Sequence, residues 1–185
     1  KMTNQDNVVC VDGNVGMGQP EWTNEFLRPH SMVPLSEATD KPYLFLSECD
    51  LSNDWRPAKA DFTEEVSAEF HTHKQKSTNP LFIGALPVAH PSWIAGWPEQ
   101  LLRHNYNIPS SMHTRSRIQH HKKVKRNTTI VGGARPISAY ERKAHHFINF
   151  DVLLQDDLGE DVAQIRHWTI FKIASVEERN FFPKG

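Results

Sequence analysis

Three side chains near the middle of the sequence have the chemistry for moving protons: His90, Glu99 and His113. An imidazole changes charge near neutral pH, and a carboxylate can serve as a base or a nucleophile. His90 stands directly before Pro91, where we predict the start of a helix, and the free N–H groups of a helix start can stabilise an oxyanion. These residues are therefore candidates for acid–base catalysis. A helix-capping or packing role for His90 and a turn-anchoring role for His113 are the alternatives.

Polar and basic side chains that could hold a ligand follow along the chain. Asn105 and Ser116 can each form a hydrogen bond to a carbonyl group of a ligand. The alternative for both is a role as a structural cap. Residues 115–126, RSRIQHHKKVKR, contain six Lys and Arg and two His, a composition that attracts phosphate groups. The cationic candidates are Arg115, Lys122 and Lys123. A solvated outer strand is the alternative for this run, and nucleic acid is disfavoured because no aromatic residue interrupts it to stack a base.

Eleven histidines raise the question of a metal site. On a strand, His71 and His73 would face the same side, but the Glu that cupin-type sites have a few residues further on is absent. The adjacent pairs at 120–121 and 145–146 point to opposite faces of a strand. We therefore predict no bound metal.

The clearest structural pattern is a hairpin over residues 140–171. Residues 147–154 alternate in a way that places apolar side chains on both faces, so at least one face must be covered. Residues 162–173 alternate as well. Between them, residues 155–160 supply turn-forming Asp and a Gly that can adopt positive φ. We predict two long antiparallel strands joined by a short loop.

A largely buried helix is predicted before the hairpin. Apolar residues recur at helical spacing, and they are Trp93, Ile94, Trp97, Leu101 and Leu102. Pro91 suits the first turn, whereas Pro98 is expected to kink or divide the helix because it lacks a backbone donor. The helix should end before Pro109. Residues 113–126 and 128–135 then show strand-like patterns.

The first 80 residues carry weaker signals because Asn, Asp, Pro and Ser are frequent there. Residues 42–48 are predicted to form a short strand. Residues 63–73 suit a half-buried strand, with a helix beginning near Pro57 as the alternative. We predict an irregular N-terminal extension with strand contributions over residues 1–80 and a core domain over residues 81–185.

Composition limits the class of protein. A chain of 185 residues suits one domain of ordinary size with an appendage. The net charge of -1 and pI near 6.9 argue against a nucleic-acid partner. Cys10 and Cys49 form no CxxC motif, which favours free thiols in a reducing compartment. No apolar run approaches the ~18 residues of a membrane span and no signal sequence is evident. We expect a soluble, cytoplasmic protein with no membrane partner.

The order of one long helix followed by extended strands indicates an α+β fold. The segments HPSWIAGWPEQLLRHNYNIPSSMHTRSRI, YERKAHHFINFDVLL and DVAQIRHWTIF resemble the second hot-dog half of MaoC-like acyl-CoA hydratases and dehydratases. In that family a helix opening with His-Pro leads to a strand that starts Ile-His-x-x-Ser, and a Tyr-Glu-Arg-Lys-Gly-His segment follows. The similarity covers residues 90–174. It implies the hot-dog fold, in which a curved antiparallel sheet wraps a central helix.

Several positions depart from the family pattern. Asn127 and Thr128 stand where the family tends to have Gly-Asp, Ala144 replaces a Gly, and Glu99 replaces an Asn within the helix. The hydratases activate water with an Asp and a His about five residues apart in a loop ahead of the helix. Here the loop over residues 79–90, NPLFIGALPVAH, contains no Asp.

The resemblance implies binding of an acyl thioester such as acyl-CoA, with hydration or dehydration of the acyl chain as the reaction. Coenzyme A would be part of the substrate, and no separate cofactor is expected. His90 would act beside the thioester carbonyl, with His113 as the second candidate, and the basic run would bind the coenzyme A phosphates. One alternative is an acyl-CoA thioesterase with Glu99 as base or nucleophile. The other is a non-catalytic acyl-CoA-binding partner subunit, which the missing Asp and His pair favours.

A lone hot-dog sheet leaves an edge strand and its ligand tunnel open. We therefore expect a homodimer, or a heterodimer with another hot-dog subunit, that builds the site between subunits.

Overall fold

A computed structural model describes residues 17–180 and the short segments 2–3, 6 and 9–11. Near the amino end, β1 (Met2–Thr3) and β2 (Val9–Val11) pair with each other. The main sheet has five strands, which are β3 (Ala58–Phe62), β4 (Met112–His120), β5 (Thr128–Arg142), β6 (His145–Asp156) and β7 (Asp161–Lys172). All pairs are antiparallel, and the order β3–β5–β6–β7–β4 puts β3 and β4 at the edges.

Short helices lie between the strands and after the last strand. They are α1 (Glu64–His73), α2 (Pro80–Ile83), α3 (Pro91–Ala95), α4 (Trp97–Asn105) and α5 (Val176–Asn180). In the described part of the chain, none of these helices combines the length and apolarity that crossing a bilayer requires. One strand of the sheet, β3, comes from the predicted N-terminal extension, and the domain boundary at residue 80 stays a prediction.

The central helix is divided, as the position of Pro98 predicts. It breaks at Gly96, which ends α3 and precedes α4. Pro98 has no backbone N–H. It lies in the first turn of α4, where an N–H would have no carbonyl of the same helix to bond, so the missing donor costs no helical hydrogen bond there. Glu99 therefore lies in the first turn of α4.

The strand predicted over residues 63–73 is wrong, because α1 occupies these residues. Thr63 caps the helix by accepting a hydrogen bond from the Val66 amide at 3.2 Å. Ser67 and His71, one helical turn apart, are the buried residues of the helix. The helix starts at Glu64 and not near Pro57, because β3 takes up the residues between them.

The strand predicted over residues 42–48 is also wrong. Only Tyr43 forms a β-bridge, to Asn107, and the segment ends in a 3-10 turn at Leu46–Glu48. Leu44 is buried while Tyr43 and Phe45 are exposed. The alternation is real, but the segment packs against the chain that follows α4 and does not join the sheet.

The two strands after the helix differ in length from the prediction. β4 stops at His120 and not at residue 126, so four of the six Lys and Arg of the basic run lie in the loop that follows. β5 continues past residue 135 to Arg142. It passes Pro136 through an irregularity in pairing between Pro136 and Ser138, a place where a residue without N–H is tolerated.

The predicted hairpin is confirmed as β6 and β7, although it starts at His145 and not at residue 140, because residues 140–142 form the end of β5. Gly159 in the connecting loop has a φ of 76°. Asp156 holds the loop, since its Oδ1 accepts from the amides of Leu158 at 3.1 Å and Glu160 at 2.9 Å.

The divided helix packs on the sheet through Trp97. A Cβ added at Gly132 would lie 2.6 Å from Cε3 of Trp97, so only glycine fits opposite this indole. Trp97 is 1% exposed and is among the largest fully buried side chains. This contact sets the distance between α4 and β5. It therefore also sets the distance of Glu99 from the sheet. The face toward α3 and α4 is called the inner face below.

The opposite, outer face carries a buried ion pair. Arg166 donates from Nε to Asp151 Oδ1 and from Nη2 to Oδ2, both at 2.8 Å. The N-terminal segment, residues 17–57, docks on this pair: the Leu27 amide donates to Asp151 at 2.7 Å, and Arg166 also donates to the Glu25 carbonyl at 2.7 Å. Since Asp151 is 0% exposed, the segment shields the pair from solvent.

The turn between β5 and β6 contains Ala144, one of the positions that depart from the pattern of the MaoC-like sequences. Lys143 and Ala144 have φ values of 53° and 61°. A two-residue hairpin turn needs positive φ at both positions, and residues with a Cβ adopt it at a penalty of roughly 1–2 kcal/mol each.

We predict that Ala144→Gly raises the free energy of unfolding by about 1 kcal/mol, since glycine relieves this penalty. The melting temperature should rise by about 2–4 °C for a chain of this size. Urea unfolding and a thermal melt measure both. Ala139→Gly in β5 is the matched control and should lower stability, so a similar loss for both variants would contradict the prediction.

Candidate functional site

The inner face of β4 and β7 brings polar side chains together. Ser116 pairs with His167, and His167 pairs with Phe150 of β6. Directly paired residues project to the same side of a sheet. Phe150 is 0% exposed, so this side is the covered inner face.

Glu99 of α4 faces these paired residues from the inner face and accepts hydrogen bonds from three side chains. Its Oε1 lies 3.4 Å from His167 Nε2 and 3.0 Å from Thr169 Oγ1, and Oε2 accepts from Ser111 Oγ at 2.8 Å. Burial alone would raise the pKa of Glu99, but these hydrogen bonds outweigh burial and lower it to about 2. Glu99 is therefore ionised at neutral pH.

The ionised carboxylate fixes the tautomer of His167. Its Nε2 faces Glu99 and must carry the proton, so Nδ1 is an acceptor. Ser116 Oγ lies 2.8 Å from this Nδ1 and donates to it. Burial lowers the pKa of His167 further than Glu99 raises it, and His113 lowers it as well. The ring is 1% exposed and neutral at pH 7.

His113 completes the chain of contacts at the surface. Its Nε2 lies 3.0 Å from Ser116 Oγ, and its ring stacks on His167 with 4.5 Å between centroids. His113 is exposed and Ser116 partly so. We call Glu99, His167, Ser116 and His113 the Glu99 network. It runs from the helix to the open edge of the sheet, and it can move a proton between a hydroxyl and an imidazole.

His90 lies outside this network, at the start of α3. Its Nδ1 accepts from the Ser92 amide at 3.1 Å, so the capping contact is present. Its ring meets Phe82 at 4.6 Å and His71 at 5.8 Å between centroids, with the two imidazoles at 81°. Burial and then the neighbouring His71 lower the pKa of His90.

His71 is the second imidazole of this pair. It is 9% exposed, and its Nδ1 donates to the Gln75 carbonyl at 2.7 Å. Within residues 17–180, no hydrogen bond links His71 or His90 to the Glu99 network. The described residues contain no group of three or more His, Cys, Asp and Glu that could hold a metal ion.

Two grooves lie near the His71 and His90 pair, and chain neighbours of these residues line them while the two imidazoles do not. The first, of about 440 Å³, lies between α1 and the α3–α4 helices, and its walls include Phe70, Gln75 and Ser92. The second, of about 340 Å³, has apolar walls from Phe82 and neighbouring side chains on one side. Residues 120–124 of the basic loop form its other side. A ligand in the second groove could therefore place an apolar part against Phe82 and an anionic part against the basic loop.

The basic loop offers Lys123 more freely than Lys122. Lys122 forms ion pairs with Asp156 and Glu160, and the hydrogen bonds that it donates to these two carboxylates raise its pKa to about 12. Lys123 is exposed and lines the second groove. Among the described residues it makes no ion pair or hydrogen bond. Lys123 is thus the free cation of the two.

Two predicted ligand residues lie elsewhere. Arg115 is on the outer face, with its guanidinium 4.0 Å from the ring centre of Trp168. Asn105 closes the end of α4: its Oδ1 accepts from the Arg56 amide at 2.8 Å and its Nδ2 donates to the Leu101 carbonyl at 2.9 Å. Neither side chain lines the grooves beside His90.

Sequence reasoning grouped the candidates incompletely. The structure brings His113, Ser116 and Glu99 together, and it separates them from His90. It adds His167 and, as a partner of His90, His71. The alternation of β7 was a signal for His167, since every second residue of that strand faces inward. For His71 no such signal existed, because a strand was predicted where α1 forms.

Comparisons with known proteins were made by sequence and by structure. No family model matches the sequence, and no curated protein matches it. Solved structures do match. The unliganded (R)-hydratase PhaJ1 of Pseudomonas aeruginosa superposes with a TM-score of 0.58 at 10% identity, covering 71% of this chain and 92% of the hydratase.

Two further structures match over similar lengths. The 3R-hydroxyacyl-ACP dehydratase complex HadBC of Mycobacterium tuberculosis, C-terminally truncated, gives a TM-score of 0.54 at 19% identity, over 66% of this chain and 98% of that chain. The MaoC-like dehydratase of Rhodospirillum rubrum gives 0.52 at 12% identity, over 71% and 99%. At these identities the likeness concerns the fold. The chain therefore has the hot-dog fold that MaoC-like dehydratases and (R)-hydratases share.

Proposed function

We propose that this chain binds an acyl thioester of the acyl-CoA type and catalyses the addition of water to its acyl chain, or the reverse dehydration. The observation that supports the proposal most is the pair of His71 and His90, two imidazoles in contact and in complementary hydrogen-bonding states, next to a groove that the nearby Phe70 and Ser92 line. A hydratase needs a group that takes a proton from water and a donor that stabilises the thioester oxygen.

His90 suits the donor role. Because its Nδ1 accepts from the Ser92 amide, the neutral ring carries its proton on Nε2. Its lowered pKa keeps the ring neutral at pH 7. No described residue hydrogen-bonds this Nε2, so the N–H is available to a thioester carbonyl.

His71 suits the acceptor role. Its Nδ1 donates to the Gln75 carbonyl, which leaves Nε2 with a lone pair. In hydration, His71 would take one proton from water as the oxygen bonds to the acyl β-carbon, and the α-carbon would gain one proton. The N–H of His90 would hold the enolate oxygen in between. The pair would do the work that the missing Asp and His do in MaoC-like hydratases.

Lys123 supports the assignment of the ligand class. It adjoins an apolar groove next to Phe82, and coenzyme A joins a long thioester arm to phosphate groups. Arg115, Asn105 and Lys122 are engaged with protein groups, so we assign phosphate contact to Lys123 first.

A non-catalytic binding subunit is the second candidate function. It is favoured by the absence of Asp from residues 79–90 and by the capping contact of His90, which a purely structural histidine would also make.

We predict that His90→Gln and His71→Gln each reduce enoyl-CoA hydration by about a hundred- to ten-thousandfold, the usual range for acid–base groups. Acyl-CoA affinity should stay within a few fold, since the phosphate contact is assigned to Lys123 and His90 offers the thioester a single hydrogen bond. The measurements are the change in enoyl absorbance and calorimetric binding. His30→Gln, an exposed histidine on the N-terminal segment, is the control. His113→Gln and Glu99→Gln in the same assay test whether the other network contributes. If the wild type hydrates no chain length, the binding-subunit function replaces this one.

We predict that Lys123→Glu weakens acyl-CoA binding by about tenfold, because one exposed attraction is replaced by a repulsion. Binding of a short pantetheine thioester, which lacks the nucleotide phosphates, should not change. Lys125→Glu makes the same charge change in the same loop away from the groove and serves as the control. Loss of affinity for both thioesters alike would place Lys123 outside the phosphate contact. The wild-type affinity for acyl-CoA should also fall as salt rises.

We propose that the chain assembles through β4, whose outer backbone edge is open in the single subunit. Arg115 and Arg117 lie along this edge strand, so pairing two copies brings like charges together, whereas a hot-dog partner with carboxylates there would pair more favourably. The solved complex HadBC is a pair of such subunits in that protein.

We expect light scattering at micromolar concentration to show a dimer, either of this chain alone or with an added hot-dog partner. A monodisperse monomer that still binds acyl-CoA would contradict this expectation, because the ligand site would then need no second subunit.

A further inference from the structure

The Glu99 network contains a hydroxyl between two imidazoles, and the proposed hydration at His71 and His90 makes no use of it. Ser116 Oγ lies 2.8 Å from His167 Nδ1 and 3.0 Å from His113 Nε2. A hydroxyl in contact with an oriented imidazole is the arrangement that activates a serine for attack on a carbonyl.

On one side of Ser116 lies His167, which is oriented and protonated as a general base requires. His167 is neutral, its Nε2 proton is directed to ionised Glu99, and its Nδ1 lone pair receives the Ser116 proton. Two further hydroxyls hold Glu99 in place, from Ser111 and Thr169. When His167 takes up a proton, the adjacent carboxylate stabilises the imidazolium.

On the other side, His113 supplies a donor. Because the Ser116 proton points to His167, the serine oxygen accepts from the Nε2–H of His113. A carbonyl oxygen that arrives next to Ser116 would come within reach of the same N–H, which can stabilise the oxyanion. His113 is exposed, so a substrate can reach Ser116 past this imidazole, on the face of β4 and not through the backbone edge that would pair with a second subunit.

Neighbouring hydroxyls do not share this arrangement. Thr114 donates to the Trp168 carbonyl at 2.9 Å, and Ser111 donates to Glu99. A carbonyl is not a base, and a carboxylate with a pKa lowered to about 2 is a much weaker base than an imidazole. Of the three hydroxyls of Ser111, Thr114 and Ser116, that of Ser116 is thus the one whose proton faces an imidazole.

We infer that Ser116 is a nucleophile toward acyl esters and thioesters, with His167 as its base, Glu99 as the residue that orients His167, and His113 as the oxyanion donor. Ser116 Oγ bonds to the carbonyl carbon while its proton passes to His167. The carbon–sulfur bond then breaks, and the thiolate leaves as a thiol with that proton. Water, deprotonated by His167, attacks the acyl-serine and releases the carboxylic acid, and the proton returns to Ser116.

Covalent labelling with a fluorophosphonate tests the inference without any hydration assay, so its outcome is separate from that of the proposed function. The probe bonds to an activated serine oxygen with loss of fluoride. Peptide mass spectrometry of the wild type should place the label on Ser116. Ser116→Ala should lose that label, and His167→Gln should slow labelling by about a hundredfold or more, the usual loss when a base is removed. Thr114→Ala changes a hydroxyl of the same strand and should label at the wild-type rate.

An unlabelled Ser116 in the folded wild type would overturn the inference, and so would a His167→Gln rate equal to that of the wild type. If Ser116→Ala fails to fold in a thermal melt, Ser116→Cys takes its place. Its thiol should react with iodoacetamide at least about tenfold faster than the thiol of Thr114→Cys, since an adjacent imidazole favours the thiolate. Equal alkylation rates at the two positions would overturn the inference as well.

Discussion

The contact between Trp97 and Gly132 is the constraint on which the rest of the structure depends. It presses the start of α4 against β5, and the glycine permits an approach that a single methyl group would prevent. Glu99 follows Trp97 by about half a helical turn, and its carboxylate contacts His167 on the inner face of β7. The break at Gly96 contributes as well, because it lets α3 and α4 take separate directions. α3 places His90 beside α1, and α4 places Glu99 under β7.

Local signals in the sequence were sufficient for the second half of the fold. Three of these signals are the alternation over β6 and β7, the turn with Gly159 and the helix-dividing Pro98. Each depends on only a few neighbouring residues, so its effect on local structure does not depend on the packing of the rest of the chain. The predictions over residues 42–48 and 63–73 were wrong for the opposite reason. In the first, an alternating pattern met a helix end and no neighbouring strand. In the second, Val66 and Phe70 have a spacing that suits a helix and a strand equally, and the capping of Thr63 decided for the helix.

The candidate site shows the same division. Residue chemistry singled out Glu99, His113 and Ser116 separately, yet nothing local could show that they share one network, because their meeting depends on the register of β4 against β7 and on the packing of α4. His167 joins them through that same register. His71 was hidden by the choice of strand over helix: on a strand it would lie beside His73, whereas on α1 it turns inward with Ser67.

The buried pair of Asp151 and Arg166 has a consequence for the way the molecule opens. The two residues bind each other across adjacent strands, so their charges stay matched even when the N-terminal segment leaves. The segment is held by the Leu27 amide, 124 positions away in sequence from Asp151. A contact between such distant positions closes a long loop, and local opening around Leu27 can occur while Trp55, at the other end of the segment, stays packed on Phe150. Amide hydrogen exchange at Leu27 would then report detachment of the segment, while exchange in β6 and β7 would report unfolding of the sheet.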